Sequence, residues 1–575
     1  MKACSRNHLV YYMRNLKQIT ACFLLGMICH IHADAQTNTN INAGPNPDQQ
    51  TVKAPKKYNI VFFLVDDLGW ADVGFQGSKF HETPNLDSFS KKSVQFSQAY
   101  AACHVCSPTR ASILTGQYPA RLGLTDWLPG RKDFSFQKLQ TGTTVQHLPY
   151  GTQTLPKVLK DNGYTTAIFG KWHLGEDSAS AFRQGFDVQV PQWNKGWPAS
   201  SYFSPFNMKG LEGGPKGEYL TDRLTTEALN WVEKNKDQPF FLYLSHFAVH
   251  DPIQGRGDLV AKYEKKRNAM AKDKTAPFIL EGNPDDAEPI SREQLTSLLS
   301  DPGHQGTRIF PDRTVKIKQH QNNAQFAAMV ETMDESFGRV IEKLKELGIE
   351  DNTIVIFFSD NGGMSAANFG NPARKVAPCD LDKVFATSNL PLRAGKGWLY
   401  EGGIREPLLV YWPNQSKEGS VSDIPVISTD FYPTILEMIG VNTKSRDKNG
   451  VDGASFASLL KGNQLSASQT NKPLFWHFPH YSNHGAQSPG GAVRLGDYKL
   501  IEYFENGTVE LFNLKNDPAE QHNLAQAEPA KVKELLSLLR NWRKEVNAFI
   551  PGPNPKYVPT SKWPGTGERD PDEDR

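Results

Sequence analysis

From residue 58 onward, short unbroken apolar runs alternate with stretches whose apolar residues recur at three- and four-residue spacing. Ile60-Val-Phe-Phe-Leu-Val65 is the first such run. A strand is apolar throughout only when both of its faces are covered. Thr166-Ala-Ile-Phe169, Phe240-Phe-Leu-Tyr-Leu244, Ile354-Val-Ile-Phe-Phe358 and Leu408-Leu-Val-Tyr-Trp412 follow the same rule. Between them, Thr154 to Asn162 reads as a helix closed by Gly163. Asn323 to Leu347 places Phe326, Met329, Val330, Met333, Phe337, Val340, Ile341 and Leu344 on one helical face and ends at Gly348. Strands alternating with helices predict an α/β fold, a mainly parallel sheet sandwiched by helices.

Two regions break this rhythm. Asp251 to Lys318 is polar and Pro-bearing, with weak periodicity, and reads as a long insertion over the sheet edge. Beyond Gly440, Tyr498–Phe504 and Val509–Phe512 read as two strands around an Asn506-Gly507 hairpin turn. A helix from Ala530 to Val546 follows. The sequence therefore predicts a main domain over 58–440, a smaller C-terminal α+β unit over 441–550 and a Pro-rich, charged tail over 551–575.

The first residues follow another logic. Lys2, Arg6, Arg14 and Lys17 precede the apolar run Ile19–Ile31, and Ala33-Asp34-Ala35 follows it. This is the layout of a secretory signal peptide cleaved after Ala35, with 36–57 as a flexible leader. The run is shorter than the ~20 residues that span a bilayer, so no stable membrane anchor is expected. The expected location is periplasmic or secreted. Cleavage removes Cys4, Cys22 and Cys29 and leaves Cys103, Cys106 and Cys379. Three thiols cannot all pair, so at least one is free or modified.

Composition narrows the class. Among 575 residues, 38% are hydrophobic and 22% charged, which supports a large core. Lys+Arg 64 against Asp+Glu 62 gives a net charge of +2, which argues against a nucleic-acid partner.

Ligands of a parallel α/β sheet bind beyond the carboxyl ends of its strands. Two of those ends here are acidic: Asp66-Asp67 and Asp360-Asn361. Four oxygen donors suit Ca²⁺ or Mg²⁺ better than Zn²⁺. Strand-terminal Asp and Asn also start turns and cap helices. Further on, Cys103-His-Val-Cys106-Ser-Pro-Thr-Arg110 leads into a helix opened by Pro108, which puts Cys106 at its positive end. A C-x-x-C pair also suits redox or metal work, but no second pair exists, and Cys103 alone reads as an apolar filler.

Cys106-Ser-Pro-Thr-Arg110 with Leu114-Thr-Gly116 resembles the C-x-P-x-R…TG signature of the type I sulfatases. Other segments match that family in order. Asp66 and Asp67 match its first metal pair, and Asp360 and Asn361 its second. Gly170-Lys171-Trp-His173-Leu-Gly175 matches its G-K-W-H-L-G segment. His250 matches the His after the Phe-Phe-Leu-Tyr strand. Lys396 matches the basic residue near the sulfate. The resemblance is strong over Asn59 to Pro407 and looser to Leu524. It implies an alkaline-phosphatase-like fold and a sulfuric ester hydrolase. Its cofactors would be one Ca²⁺ and a Cα-formylglycine made from Cys106 by a maturing enzyme.

The resemblance also implies roles. The formylglycine hydrate at position 106 would attack sulfur, with Asp66, Asp67, Asp360, Asn361 and residue 106 around the metal. Asp360 would take a proton, and His250 would protonate the leaving alcohol. His173 would act as the base that expels sulfate. Lys171, Lys396 and Arg110 would hold the sulfate oxygens and the hydrate. For the leaving group, Trp127, Trp172, Trp193 and Trp197 lie in loops after the strands, and Trp faces stack on sugar rings. His480, His484 and Arg494 offer polar groups to sugar hydroxyls. This stretch loosely resembles bacterial sulfatases acting on galactose- or N-acetylgalactosamine-type glycans. The expected function is a carbohydrate sulfatase. The rivals are a phosphonate monoester or phosphodiester hydrolase and a non-catalytic glycan binder.

Overall fold

The computed structural model describes residues 57–559, apart from 132, 136, 272–273, most of 286–313, 369–377, 442–449, 464–469 and 484–486. The expected signal peptide, the leader up to residue 56, His484 and the tail from residue 560 lie outside the described residues, as does the side chain of Cys379. No helix among the described residues is long and apolar enough to cross a membrane.

The central sheet runs Val421–Ser422, Val94–Tyr100, Arg405–Tyr411, Thr353–Ser359, Asn59–Val65, Phe240–Ser245, Thr165–Gly170 and Val188–Val190. The five strands from Thr353–Ser359 to Val188–Val190 are parallel. Every residue of Asn59–Val65 and Thr353–Ser359 is buried, because apolar layers cover both faces. One layer packs Phe63 and Phe357 against Phe337 and Met333 of the helix Ala324–Glu346. The other packs Phe62 and Phe358 against Phe431, Ile435 and Phe456. The expected helix around Asn323–Leu347 forms, and Asn323 caps it by accepting a hydrogen bond from Phe326 N.

Two features differ from the expectation. The sheet contains the antiparallel strand Arg405–Tyr411, with Val94–Tyr100 antiparallel to it in turn. Val94–Tyr100 alternates buried and half-buried positions, so it lacks the unbroken apolar signal of the other strands. The insertion after Asp251, read only as weakly periodic, has elements of its own. It carries the helix Gly257–Ala269 and a small sheet of Phe278–Glu281, Thr314–Lys318 and Ile309–Phe310.

The C-terminal unit is a four-stranded antiparallel sheet of Leu474–Phe478, Gly490–Leu495, Tyr498–Tyr503 and Val509–Asn513. The helix Pro529–Glu545 covers it through Leu535, Leu539 and Trp542, and the Trp542 ring stacks on Phe475 at 4.6 Å. The two parts interlock beyond residue 440. Phe456 and Leu460 still pack in the main core, and the new sheet begins at Leu474. Trp398, Tyr400 and Ile404 of the main domain share one apolar cluster with Leu500, Leu511 and Leu539. Trp476 Nε1 donates to Ala101 O at 2.8 Å, so the small unit holds the segment leading to Cys106.

Candidate active site

The register of the sheet assembles the site. Val65 lies opposite Ser359, Leu64 opposite Ser245, and Gly170 opposite Ser245. Four neighbouring parallel strands therefore end nearly level, and the residues just beyond them meet at one edge. Asp66, Asp67, Asp360, Asn361, Lys171 and His173 all stand there. His250 lies five residues beyond its strand. The antiparallel pair delivers the rest. Arg405–Tyr411 starts at this edge, which brings Lys396 in from upstream. Val94–Tyr100 ends at it, which sends Cys103–Cys106 across.

Cys106 is the first residue of the helix Cys106–Thr115, whose residues are all buried. Its Sγ lies 3.3 Å from His173 Nδ1, and His173 Nε2 lies 2.7 Å from Leu128 O. A carbonyl oxygen only accepts, so Nε2 carries the ring proton and Nδ1 presents its lone pair to residue 106. Burial, then Lys171, hold the His173 pKa well below its usual value, so the ring is neutral. His173 and Asp67 both adopt left-handed backbone, with φ of 55° and 62°. Residues other than glycine rarely do so, and such conformations gather at functional sites.

The charged groups interlock. Lys171 Nζ donates to Asp66 Oδ2 at 2.6 Å. Lys396 Nζ lies 2.7 Å from Asp67 Oδ1 and 2.8 Å from Oδ2. Asn361 Nδ2 donates to Asp67 Oδ1 at 2.7 Å. Arg110 donates from Nε to Asp360 Oδ2 at 2.8 Å, and from Nη1 to Ser245 Oγ and Lys171 O. Burial opposes ionisation of Asp67, but Lys396, His250 and Lys171 more than offset it and hold its carboxyl well below the usual range. Asp360 is pushed up to about 6 by burial and by Asp66 beside it. His250 sits between carboxylates, its Nδ1 2.5 Å from Asp251 Oδ1 and its Nε2 3.7 Å from Asp67 Oδ2. Burial and Lys396 oppose its charge, yet Asp67, Asp251 and Asp66 carry its pKa up to about 9.

The donor set fits a hard divalent cation. Asp66, Asp67 and His250 each offer an atom within 4.8 Å of one another. Asp66 Oδ1 and Asn361 Oδ1 are buried acceptors that receive no hydrogen bond among the described residues. An acceptor left bare in this way is costly unless a cation or water meets it. The two lysines bonded to Asp66 and Asp67 supply positive charge on the same cluster.

The expected leaving-group residues fare differently. Trp127 is half-buried, and its ring lies 6.4 Å from that of Trp197. It immediately precedes Leu128, the partner of His173. Trp172 is buried, with Nε1 bonded to Gly175 O and Ala179 O, so it is core. His480 is buried and its Nε2 meets Thr125 Oγ1 at 2.8 Å, so it braces the 125–128 loop and is not presented to a ligand. Arg494 is a clear correction. It pairs with Leu474 at the end of the C-terminal sheet away from His480, and its guanidinium is used by Tyr100, Gln98 and Gly496 O. Arg110 is likewise enclosed, and its fork serves Asp360. Leu128, Ser245 and Asp251 were not anticipated. Only Asp251, next to His250 in the chain, carried any signal.

Comparison with known proteins agrees with this geometry. The family model described as Sulfatase matches residues 58–441. A second model, N-sulphoglucosamine sulphohydrolase, C-terminal, matches residues 394–546. The chain belongs to the sulfatase family. It is a sulfuric ester hydrolase with the α/β fold and smaller C-terminal domain expected of that family. A sulfatase of Formosa agariphila is 28% identical over 97% of each chain. The N-acetylgalactosamine-6-sulfatase of Mus musculus is 30% identical over 82% of this chain and 77% of its own. The crystal structure of Ps i-CgsB superposes with a TM-score of 0.62 at 27% identity, covering 85% of this chain and 93% of that one.

Proposed function

We propose that this sulfatase is an exported enzyme that hydrolyses sulfate esters of a galactose- or N-acetylgalactosamine-type glycan. It would use an oxidised Cys106 and one Ca²⁺ held by Asp66, Asp67, Asp360 and Asn361. The observation that carries the reading is the seat of Cys106. It stands at a helix N-terminus, 3.3 Å from a neutral histidine nitrogen, in the field of Lys396 and Arg110. The carbohydrate part is supported by the substrates named for its relatives. These include N-acetylgalactosamine-6-sulfatase and a Ps i-CgsB complex with k-i-k-neocarrahexaose. Export rests on the N-terminal sequence alone.

When bound or formed, the metal and the formylglycine hydrate supply charge neutralisation and a hydroxyl nucleophile. The chain's own groups do the rest. Lys171 and Lys396 bring two fixed ammonium groups to the sulfate anion without reorganising during the reaction. Arg110 orients Asp360 by donating from Nε to Oδ2 at 2.8 Å, with Nη2 ion-paired to the same oxygen at 2.8 Å. His173 accepts a proton at Nδ1, because Nε2 is committed to Leu128 O. His250 donates from Nδ1 to Asp251, and its raised pKa of about 9 keeps the ring doubly protonated, so Nε2 carries a proton as well. That proton is the one available to a departing sugar alkoxide, a poor leaving group that needs an acid.

Mass analysis of the peptide bearing Cys106, from protein made in its own host, tests the nucleophile: an aldehyde mass is expected, and a thiol mass rejects the enzyme reading. Assay of galactose and N-acetylgalactosamine sulfated at each position tests the substrate. Turnover of aryl sulfates alone rejects the carbohydrate reading. Faster turnover of a phosphonate ester than of a sulfate ester with the same leaving group assigns the enzyme to phosphorus chemistry instead.

A further inference from the structure

The loop from Gln192 to Trp197 joins the catalytic histidine to a cavity outside the site described above. At its inner end, Gly196 lies against the His173 ring so closely that a Cβ would fall 2.6 Å from Cε1. Trp197 follows, facing Trp127 across 6.4 Å. At its outer end, Trp193 and Asn194 line a cavity of about 360 Å³, together with Gln192, Lys209, Glu176 and Asp177. The two ends are tied together. Trp193 Nε1 donates to Trp197 O at 2.8 Å, and Gly175 N, two residues past His173, donates to Asn194 Oδ1 at 2.9 Å. Four Cα steps separate Trp193 from Trp197, so the cavity wall starts within about 15 Å of the inner aromatic pair.

The lining has a recognisable chemistry. The half-buried Trp193 indole gives the cavity an apolar wall, which suits the C–H face of a pyranose, and the Lys195 ammonium lies 5.7 Å from its ring centre. Three amides, two carboxylates and one ammonium surround it and match a ring of hydroxyls that both donate and accept. The volume lies within the range of small-ligand pockets. Its path leads from the residue-106 side of His173, where the sulfated sugar must sit, along three tryptophans.

We propose that the Trp193 cavity is a second sugar subsite for the same glycan chain, so that the enzyme acts on oligosaccharides in preference to single sugars. The inference rests on the carbohydrate reading above. Trp197 and Trp127 hold the sulfated ring, and the next part of the chain reaches Trp193.

The test compares sulfated galactose and N-acetylgalactosamine with carrageenan and chondroitin sulfate oligosaccharides that end in the same sulfated sugar. A gain of about tenfold in kcat/KM for the oligosaccharide is expected, the worth of one good aromatic contact. Trp193→Ala should remove that gain through KM, at equal kcat. Gln192→Ala and Lys209→Ala, both at exposed positions, serve as second variants if Trp193→Ala does not fold, and should lower the gain in the same way. Equal kcat/KM on mono- and oligosaccharides overturns the subsite and leaves the carbohydrate reading intact. So does a Trp193→Ala or Gln192→Ala loss that falls equally on both substrates. Turnover of aryl sulfates alone overturns the carbohydrate reading first, and the subsite with it.

Discussion

The floor and the rim of this site are built on different principles. The floor is charged, fully buried and made of residues that lie next to strand ends. Asp66, Asp67, Asp360, Asn361, Lys171 and Lys396 are each at most 2% exposed, and each touches another member of the group. The rim is aromatic and half-buried, and it comes from loops of unrelated sequence position. The C-terminal unit supports the Trp127 loop through His480 and Thr125, while Trp193 packs on the main-domain core. Charge stabilisation needs donors fixed before the reaction, so the floor is rigid and its residues are few in kind. Sugar recognition needs area and adaptable contacts, so the rim is built from loops.

Removing a floor residue should cost most. Cys106→Ala deletes the nucleophile, and a fall of at least about 10³ in kcat is expected at unchanged melting temperature. A chelator should act through the same floor. Calcium removal is expected to abolish turnover and calcium return to restore it, and calorimetry on Asp360→Asn should show weakened Ca²⁺ binding. Undiminished activity after exhaustive chelation would break the assignment of Asp66, Asp67, Asp360 and Asn361.

His250 stands where floor meets rim, and it sharpens the comparison. His250→Ala should slow a sugar sulfate by about 10²–10⁴, the usual worth of general acid catalysis. The same variant should barely slow 4-nitrophenyl sulfate, whose leaving group needs no proton. Equal losses on both esters would return His250 to the floor as a metal or sulfate ligand, as its 4.8 Å grouping with Asp66 and Asp67 allows.

Rim changes should be smaller and should appear in KM. Trp127→Ala is expected to raise KM for a sulfated sugar about tenfold at constant kcat, in line with one lost aromatic contact. A separate effect concerns stability and leaves the chemistry untouched. Burial holds the rings of His104, His477 and His480 at a pKa of about 3, aided at His104 by His480 and at His477 by Arg543. The unfolded chain takes up protons below about 6.5 that the native rings refuse. The contribution of these rings is therefore complete above that pH and falls as pH drops towards 3, by about 2 kcal/mol per ring at pH 5. In melting curves the stability advantage of the wild type over His480→Gln should shrink from pH 7 to pH 5.

Most of the floor was readable along the chain, because all of its residues but Lys396 sit in short motifs pinned to a strand end. Asp66-Asp67 follows an all-apolar run, and so does Asp360-Asn361. The rim was read poorly. His480 and Arg494 lie in a polar stretch, which looks like a ligand site from sequence, yet both are spent on holding the C-terminal sheet to the main domain. Polar residues at a domain junction carry the same composition as polar residues in a pocket. The strand Val94–Tyr100 was missed for a related reason: it lies towards the antiparallel side of the sheet, where alternation is diluted by half-buried positions.

The sequence alone determined the layered α/β architecture and the sulfatase family, and it displays the motifs behind the proposed nucleophile and donor set. These depend on local periodicity and on contiguous motifs, and a linear chain displays both. Only the tertiary structure decided that Nδ1 of His173 faces Cys106, that Arg110 serves Asp360, and that Gly196 closes over the histidine. Those facts depend on which strand ends lie level and which distant loops meet there. Long-range register sets that, and no local spacing encodes it.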